Sequence, residues 1–157
     1  MKLARFLGLL FAMTLAAGSA QAQQCLHGPD EIAAQKERKQ LALGVVRFIN
    51  TAQMVYYAKF SRFATWSELA TSPILDEARA ACGPNSLSVK ASRVMSFSAE
   101  SEILPGFEFR LATNGETYWL LLRDKTDPCL FSLYSDQEGV IYYGQPIDRP
   151  PSTSPLD

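Results

Sequence analysis

The sequence predicts an α+β fold in which one long N-terminal helix packs on a four-stranded antiparallel sheet. Apolar residues recur every three or four positions through residues 41–55, as on one face of a helix. From residue 107 onward, apolar and polar residues alternate in short segments that are separated by turn residues, which is typical of antiparallel strands. A helix followed by a run of strands is the element order of an α+β domain.

The first predicted element is a helix over residues 31–60. Its apolar residues recur at spacings of three and four, which aligns them in one stripe along the helix. The stripe consists of Leu41, Val45, Phe48, Ala52 and Val55. We expect it to pack on the apolar face of the sheet, against Phe109, Leu120 and Leu133.

The other side of this helix carries polar side chains, which we expect to face solvent. They are Lys39, Gln40, Arg47, Asn50 and Gln53. The charged run 36–39 is interpreted in the same way, as a solvated face. Gly44 lies inside the helix, where glycine costs about 1 kcal/mol relative to alanine. We interpret this glycine as a point of close packing against another element.

Two short helices are predicted after the long one. Thr65 and Glu68 form a capping-box pattern, which starts a helix over residues 66–70. Ser72 followed by Pro73 predicts another start, with a helix over residues 74–81. The segment 85–104 stays open, because residues 86–89 alternate like a strand whereas the serine density suits a loop.

The remaining segments predict a meander of four strands. The strands are expected over residues 107–111, 118–122, 129–133 and 140–143. Asn114 and Gly115 mark a tight turn between the first two strands. The second strand is apolar on both faces and is therefore expected in the middle of the sheet.

The N-terminus has the pattern of a secretory signal peptide over residues 1–22. Lys2 and Arg5 give a basic start, residues 6–17 form an apolar run, and the small residues before Gln23 suit cleavage after Ala22. The run is shorter than the roughly 20 apolar residues of a membrane span. We therefore expect a periplasmic or secreted protein without a stable membrane anchor after cleavage.

Cleavage leaves a domain over residues 23–144 and a Pro- and Ser-rich tail over residues 145–157, which we expect to be disordered. The loss of Lys2 and Arg5 lowers the basic residues from 15 to 13 against 16 acidic ones, so the net charge becomes −3. This balance provides no basic field for nucleic acid.

Three cysteines remain after export, and the oxidising compartment favours one disulfide. Three pairings are open, each of which leaves one thiol over. We predict a bond between Cys82 and Cys129, because both lie at the ends of elements inside the domain. Cys25 precedes the helix and is expected to be unpaired, although its pairing with either of the other two stays open.

Several segments, in order, resemble the headgroup of type IV pilins. Residues 42–57 resemble the second half of a pilin's long helix, and residues 63–69 resemble the segment that follows it. Residues 107–110 with Tyr118 and Trp119 are similar to the first two strands of the sheet. Residues 131–142 are similar to the closing hairpin. The resemblance covers about residues 40–143 and implies a pilin-like fold.

The N-terminus departs from the pilin pattern. A prepilin has a leader that ends in glycine, then a phenylalanine and, at the fifth mature position, a glutamate. This chain has none of these in the corresponding place. The resemblance therefore implies the shape of a pilin headgroup but not the assembly of a filament.

No residue pattern indicates catalysis, and we assign no catalytic, cofactor-binding or metal-binding residue. Two acid pairs, Glu100 with Glu102 and Asp124 with Asp127, could form carboxylate dyads, but acids near turns are usually solvated. An aromatic cluster either seals the junction of helix and sheet or forms a partner surface. It consists of Tyr56, Tyr57, Phe60, Phe63 and Trp66.

Together these observations predict an exported, non-enzymatic, pilin-like module with a structural or interaction role in the bacterial cell envelope. Its partner would be an envelope protein, and neither nucleic acid nor a cofactor is implied. The alternative is a small periplasmic enzyme or ligand-binding protein on an unrelated α+β fold.

Overall fold

A computed structural model describes residues 31–97, 102–127 and 129–144. The predicted signal peptide over residues 1–22 and the predicted tail over residues 145–157 lie outside these ranges. The described residues form an α+β fold, as the sequence predicts. Its elements are α1 (Ala33–Phe60), α2 (Trp66–Thr71), α3 (Ile74–Cys82), α4 (Leu87–Ser92), β1 (Phe107–Thr113), β2 (Tyr118–Asp124), β3 (Ser132–Asp136) and β4 (Ile141–Gly144).

The four strands form one antiparallel sheet in the order β1-β2-β3-β4. Strand β2 is buried along most of its length, which confirms its predicted central place. The turn before it is built by Asn114, whose side-chain oxygen accepts the backbone N–H groups of Glu116 and Thr117 at 3.0 and 2.8 Å. A short amide side chain that bonds its own turn in this way explains why asparagine favours this position.

Helix α1 is buried on two sides, between the sheet and the short helices α3 and α4. Phe48 is fully buried, and the guanidinium carbon of Arg79 in α3 lies 5.8 Å from its ring centroid. The stripe that the sequence assigns to the sheet therefore borders α3 as well. The spacing of apolar residues in α1 does not predict its contact with α3, because the two helices come together only in the tertiary fold.

Gly44 marks the closest approach of α1 to α4. A Cβ atom at this position would lie 2.8 Å from the carbonyl oxygen of Leu87 and 2.9 Å from the Cβ of Ala91. Both distances are shorter than van der Waals contact. The close contact interpreted from this glycine is thus confirmed, and its partner is α4.

Two polar residues expected in solvent are buried, so that part of the prediction is wrong. Asn50 is 9% exposed and Gln53 is 0% exposed. The amide of Gln53 donates to the carbonyl of Ala64 at 2.7 Å and accepts its N–H at 2.9 Å. Asn50 likewise bonds Ser135 and Tyr118 of the sheet. Burial is tolerated because these amides find hydrogen-bond partners.

The capping box of α2 is present, since Thr65 and Glu68 exchange their side-chain and backbone hydrogen bonds. The start of α3 differs from the prediction. Ser72 ends α2, where its hydroxyl donates to the carbonyl of Leu69, and Pro73 precedes α3 without a side-chain cap. Helix α4 occupies part of the segment left open between strand and loop. Ser86 caps it by accepting the N–H of Val89, so the apparent alternation marks a helix start.

The N-terminal part of α1 is held to the sheet by the Arg38 anchor, the ion pair of Arg38 with Asp124. Two guanidinium nitrogens of Arg38 donate to the carboxylate at 2.6 and 3.0 Å, and one also donates to the carbonyl of Pro105 at 3.3 Å. Burial by itself would raise the pKa of Asp124, but hydrogen bonds from Arg38 and Thr126 outweigh it and lower that pKa. Bidentate pairing is the strong form of this interaction.

The interpretation of residues 36–39 as a solvated face is therefore wrong for two of the four residues. Arg38 makes the anchor, and Lys39 forms an ion pair with Glu31 while its ammonium lies 4.7 Å from the ring centroid of Phe131. Lys36 and Glu37 are exposed. Within the described ranges, no helix combines the length and the apolar character that crossing a bilayer requires.

Candidate functional site

The predicted disulfide between Cys82 and Cys129 is wrong. Cys82 carries a free thiol, whereas Cys129 is disulfide-bonded. The thiol of Cys82 lies 3.5 Å from the hydroxyl of Thr51 in α1, to which it donates. Cys82 ends α3, and α3 packs on α1, so this side chain is directed to α1 rather than to the segment before β3. Cys25 lies outside the described residues.

The carboxylates considered as dyads have separate structural partners. Asp124 belongs to the Arg38 anchor, and Asp127 accepts the N–H of Cys129 at 2.8 Å. Glu102 accepts the N–H of Gly106 at 2.8 Å and the ammonium of Lys125 at 2.9 Å, and these bonds lower its pKa. Glu100 lies outside the described residues.

The aromatic cluster divides into buried and exposed members. Tyr56, Phe63 and Trp66 are buried, so their rings are not available to a partner, whereas Tyr57 and Phe60 are exposed. The three buried rings serve the junction of helix and sheet. The ring of Phe63 lies 4.8 Å from that of Tyr118 in β2, and the ring of Trp66 lies 5.1 Å from that of Phe109 in β1.

An ion-pair network closes the end of α1 next to this cluster. Arg62 donates to the hydroxyl of Tyr56 at 2.8 Å and pairs with Glu68. The guanidinium of Arg62, together with hydrogen bonds from Thr65, lowers the pKa of Glu68 to about 2. The network holds α2 against α1, and its charges neutralise each other.

A different region combines an open volume with hydrogen-bond donors that are unused among the described residues. This α1–hairpin groove has a volume of about 720 Å³ and lies between α1, the start of α4 and the β3–β4 hairpin. Ligand sites of proteins commonly have volumes of roughly 300–1,000 Å³. The groove is lined by Leu43, Arg47, Asn50, Thr51, Ser88, Gly139, Ile141 and Tyr143.

Three of the lining residues offer hydrogen-bond donors. Arg47 is exposed and has no ion-pair partner among the described residues. Ser88 is 7% exposed, and its hydroxyl has no partner within the same ranges. The amide nitrogen of Asn50 donates one of its two hydrogens to Ser135 at 2.8 Å, which leaves the other.

The acceptors near these donors each accept one hydrogen bond within the fold. The side-chain oxygen of Asn50 accepts from the hydroxyl of Tyr118 at 3.0 Å. The hydroxyl of Thr51 accepts from Cys82 and donates to the carbonyl of Arg47 at 3.0 Å. Burial, aided by the nearby charge of Asp136, raises the pKa of Tyr118, so this phenol stays a donor to Asn50. The polar part of the groove therefore presents several donors, among them the cationic side chain of Arg47.

The apolar part of the groove comes from three side chains on its two walls. Leu43 belongs to α1, whereas Ile141 and Tyr143 belong to β4. Tyr143 is 71% exposed, so its ring is available to a ligand. The groove can thus hold a polar head and an apolar neighbour at the same time.

No local sequence pattern predicts this groove. The pattern of α1 predicts Arg47 and Asn50 only as solvated residues, and Ser88 lies in the segment that stays open between strand and loop. The walls come from residues that are about 40 to 100 positions apart, which only the tertiary fold brings together. The one local signal is Gly44, since it places the start of α4 beside α1.

A scan against models of protein families finds no match to this chain, and searches of the curated proteins and of the solved structures find none either. Function is therefore inferred from the sequence and from the geometry of the groove.

Proposed function

We propose that this chain is an exported, non-enzymatic, pilin-like interaction module of the bacterial cell envelope, and that it holds an envelope protein in the α1–hairpin groove. The observation that carries this proposal is the group of unused donors of Arg47, Asn50 and Ser88 beside exposed apolar side chains. Elsewhere, the Arg38 anchor and the Arg62 network use their donors within the fold.

Two further observations support the module as described. The element order, a long helix followed by an antiparallel meander, agrees with the resemblance of residues 40–143 to pilin headgroups. Export is supported by the signal-peptide pattern of residues 1–22 and by the disulfide-bonded state of Cys129, since disulfides persist in oxidising compartments.

A second candidate function is the binding of a small ligand by a periplasmic protein on an unrelated α+β fold. The volume of the groove, about 720 Å³, favours this candidate, because it would also suit a small molecule. The two functions differ in whether another protein lies against the groove in the cell.

The proposal is tested by photo-crosslinking in the native host. A benzoylphenylalanine at Tyr143 lies in the groove, and the matched probe at Arg110 lies exposed on β1, away from it. We expect one discrete crosslinked envelope protein from the first probe and none from the second. N-terminal sequencing of the protein from the same preparation should give Gln23 as the first residue.

Equal crosslinking from both probes, or none from either, would argue against a partner in the groove. In the second case a ligand that is retained in native mass spectrometry would favour the small-ligand function. An intact residue 1 on membrane-retained material would contradict export by signal-peptide cleavage.

A further inference from the structure

We infer that the α1–hairpin groove recognises a carboxylate side chain on an extended peptide segment that pairs with β4. This inference rests on the proposed function and names the chemistry of the partner. The charge of the site, its hydrogen-bond donors and the adjacent sheet edge all come from described residues.

The donors define the charge of the group that binds. A carboxylate only accepts hydrogen bonds, and it can receive two from one guanidinium. Arg47, Asn50 and Ser88 supply such donors, and among the described residues no carboxylate lines the groove. An ammonium ligand would meet the guanidinium of Arg47, whose like charge repels it. The polar part therefore favours an anion.

The size of the groove indicates that the anion is part of a larger chain. A single carboxylate fills a small fraction of about 720 Å³. Leu43, Ile141 and Tyr143 leave an apolar surface beside the donors, which a neighbouring side chain of the same ligand can cover. Burial of that apolar surface away from water favours binding.

Strand β4 explains why the ligand is extended. It lies at one edge of the sheet, and no described strand pairs with its outer side. An edge strand presents unpaired backbone groups to which a peptide can add. Ile141 and Tyr143 are two residues apart and therefore lie on one face of β4, the face that lines the groove. A peptide paired with β4 would direct alternate side chains into the groove.

The test is a titration followed by NMR with the ¹⁵N-labelled mature chain. The probe is the blocked peptide acetyl-Val-Glu-Val-Tyr-amide, and its matched control carries Gln in place of Glu. We expect saturable shifts of the side-chain N–H of Arg47 and of the backbone amides of Ser88, Ile141 and Tyr143. The Gln peptide should bind about tenfold more weakly, because it lacks the charge-assisted hydrogen bonds.

Variants separate the carboxylate contact from the rest. Arg47→Gln should remove the difference between the Glu and Gln peptides, whereas the control Arg110→Gln, at an exposed site on β1, should keep it. Equal affinity of both peptides for the unaltered chain would overturn the carboxylate, and shifts confined to residues outside the groove would overturn the site. Inorganic phosphate that gives the same saturable shifts would overturn the peptide in favour of a small-anion site.

Failure of this inference is distinguishable from failure of the proposed function. A crosslink from the probe at Tyr143 would still place a partner at the groove if neither peptide binds. In that case the partner would use another chemistry, and the carboxylate assignment would be abandoned.

Discussion

Two arginines of α1 have opposite surroundings although they are only nine residues apart. Arg38 donates to both oxygens of Asp124 and to the carbonyl of Pro105, so its guanidinium is used by the fold. Arg47 faces the α1–hairpin groove and has no ion-pair partner among the described residues. The first fixes α1 to the end of β2, whereas the second is available to a ligand.

The difference shows what determines the role of a charged side chain on a single helix. The residue type is the same, but the local sequences differ, because Arg38 lies in a charged run and Arg47 lies between apolar residues. The tertiary fold places Asp124 opposite one arginine and an open volume opposite the other. A guanidinium already paired gains little from a partner. An unpaired one beside an apolar wall can contribute binding energy, which is why the groove and not the anchor is the candidate site.

The largest effect expected among the three arginines tests the anchor itself. Arg38→Met removes the cation and leaves the carboxylate of Asp124, whose side chain is 6% exposed, as an unpaired buried charge. We expect a loss of about 3 kcal/mol in the free energy of unfolding, at the low end for broken buried pairs because Arg38 is partly exposed. Urea denaturation at pH 7 measures it. Arg47→Met should change stability by less than about 0.5 kcal/mol, and equal losses would contradict the comparison.

Gly44→Ala tests the contact between α1 and α4, which places Ser88 of α4 beside the groove. Helix propensity alone would make this change stabilising by about 1 kcal/mol. The new Cβ would instead meet the backbone oxygen of Leu87 and the side chain of Ala91, so we expect a net loss of about 1–2 kcal/mol by overpacking. Thermal unfolding gives the sign. A net gain would mean that α4 can move away without cost.

Arg62 is intermediate between Arg38 and Arg47, because it has an ion-pair partner but is exposed. Glu68→Gln keeps the hydrogen-bonding pattern of the capping box and removes the charge, so we expect a loss of about 0.5–1 kcal/mol at pH 7. The pKa of Glu68 falls from 4.5 to about 2 on folding. Its charge therefore contributes fully above about pH 4.5, and the contribution fades as the pH drops towards 2. Unfolding at pH 7 and at pH 2 should show the two proteins diverging only at the higher pH.

The smallest expected effect comes from Cys82→Ser. Serine can keep the hydrogen bond to Thr51, so we expect a change of about 0.5 kcal/mol or less in the free energy of unfolding.

Cys129→Ser should cost about 2–5 kcal/mol, as for a lost native disulfide. Non-reducing peptide mapping should find Cys82 free and Cys129 linked to the peptide of Cys25, the third cysteine of the chain. A large loss from Cys82→Ser would restore the pairing of Cys82 with Cys129.

The sequence predicts the elements whose signals are local. Helix α1, the capping box of α2 and the four-strand meander follow from periodicity and from turn residues. The sequence does not predict α4, because Ser86, which caps it, also fits an alternating strand pattern. It predicts Asn50 in solvent, because a polar residue on a helix gives no sign of a distant partner such as Ser135.

The candidate site could not be predicted for the same reason. Its walls come from α1, α4 and the β3–β4 hairpin, and no sequence spacing connects these segments. The disulfide prediction is wrong in a similar way. Cys82 and Cys129 both lie near the ends of elements, but the direction of each side chain depends on which element it packs against.

The hydrogen bonds of the buried Asn50 amide fix the rotation of α1 about its own axis. A slip of one residue along the helix would turn it by about 100°. The amide would then lose Ser135 and Tyr118, and buried polar groups would be left unpaired. A wholly apolar face would tolerate such a slip more easily. The main effect of this asparagine is therefore to select one orientation of α1, and its effect on total stability is secondary. The same orientation directs Arg47, three positions earlier, into the groove.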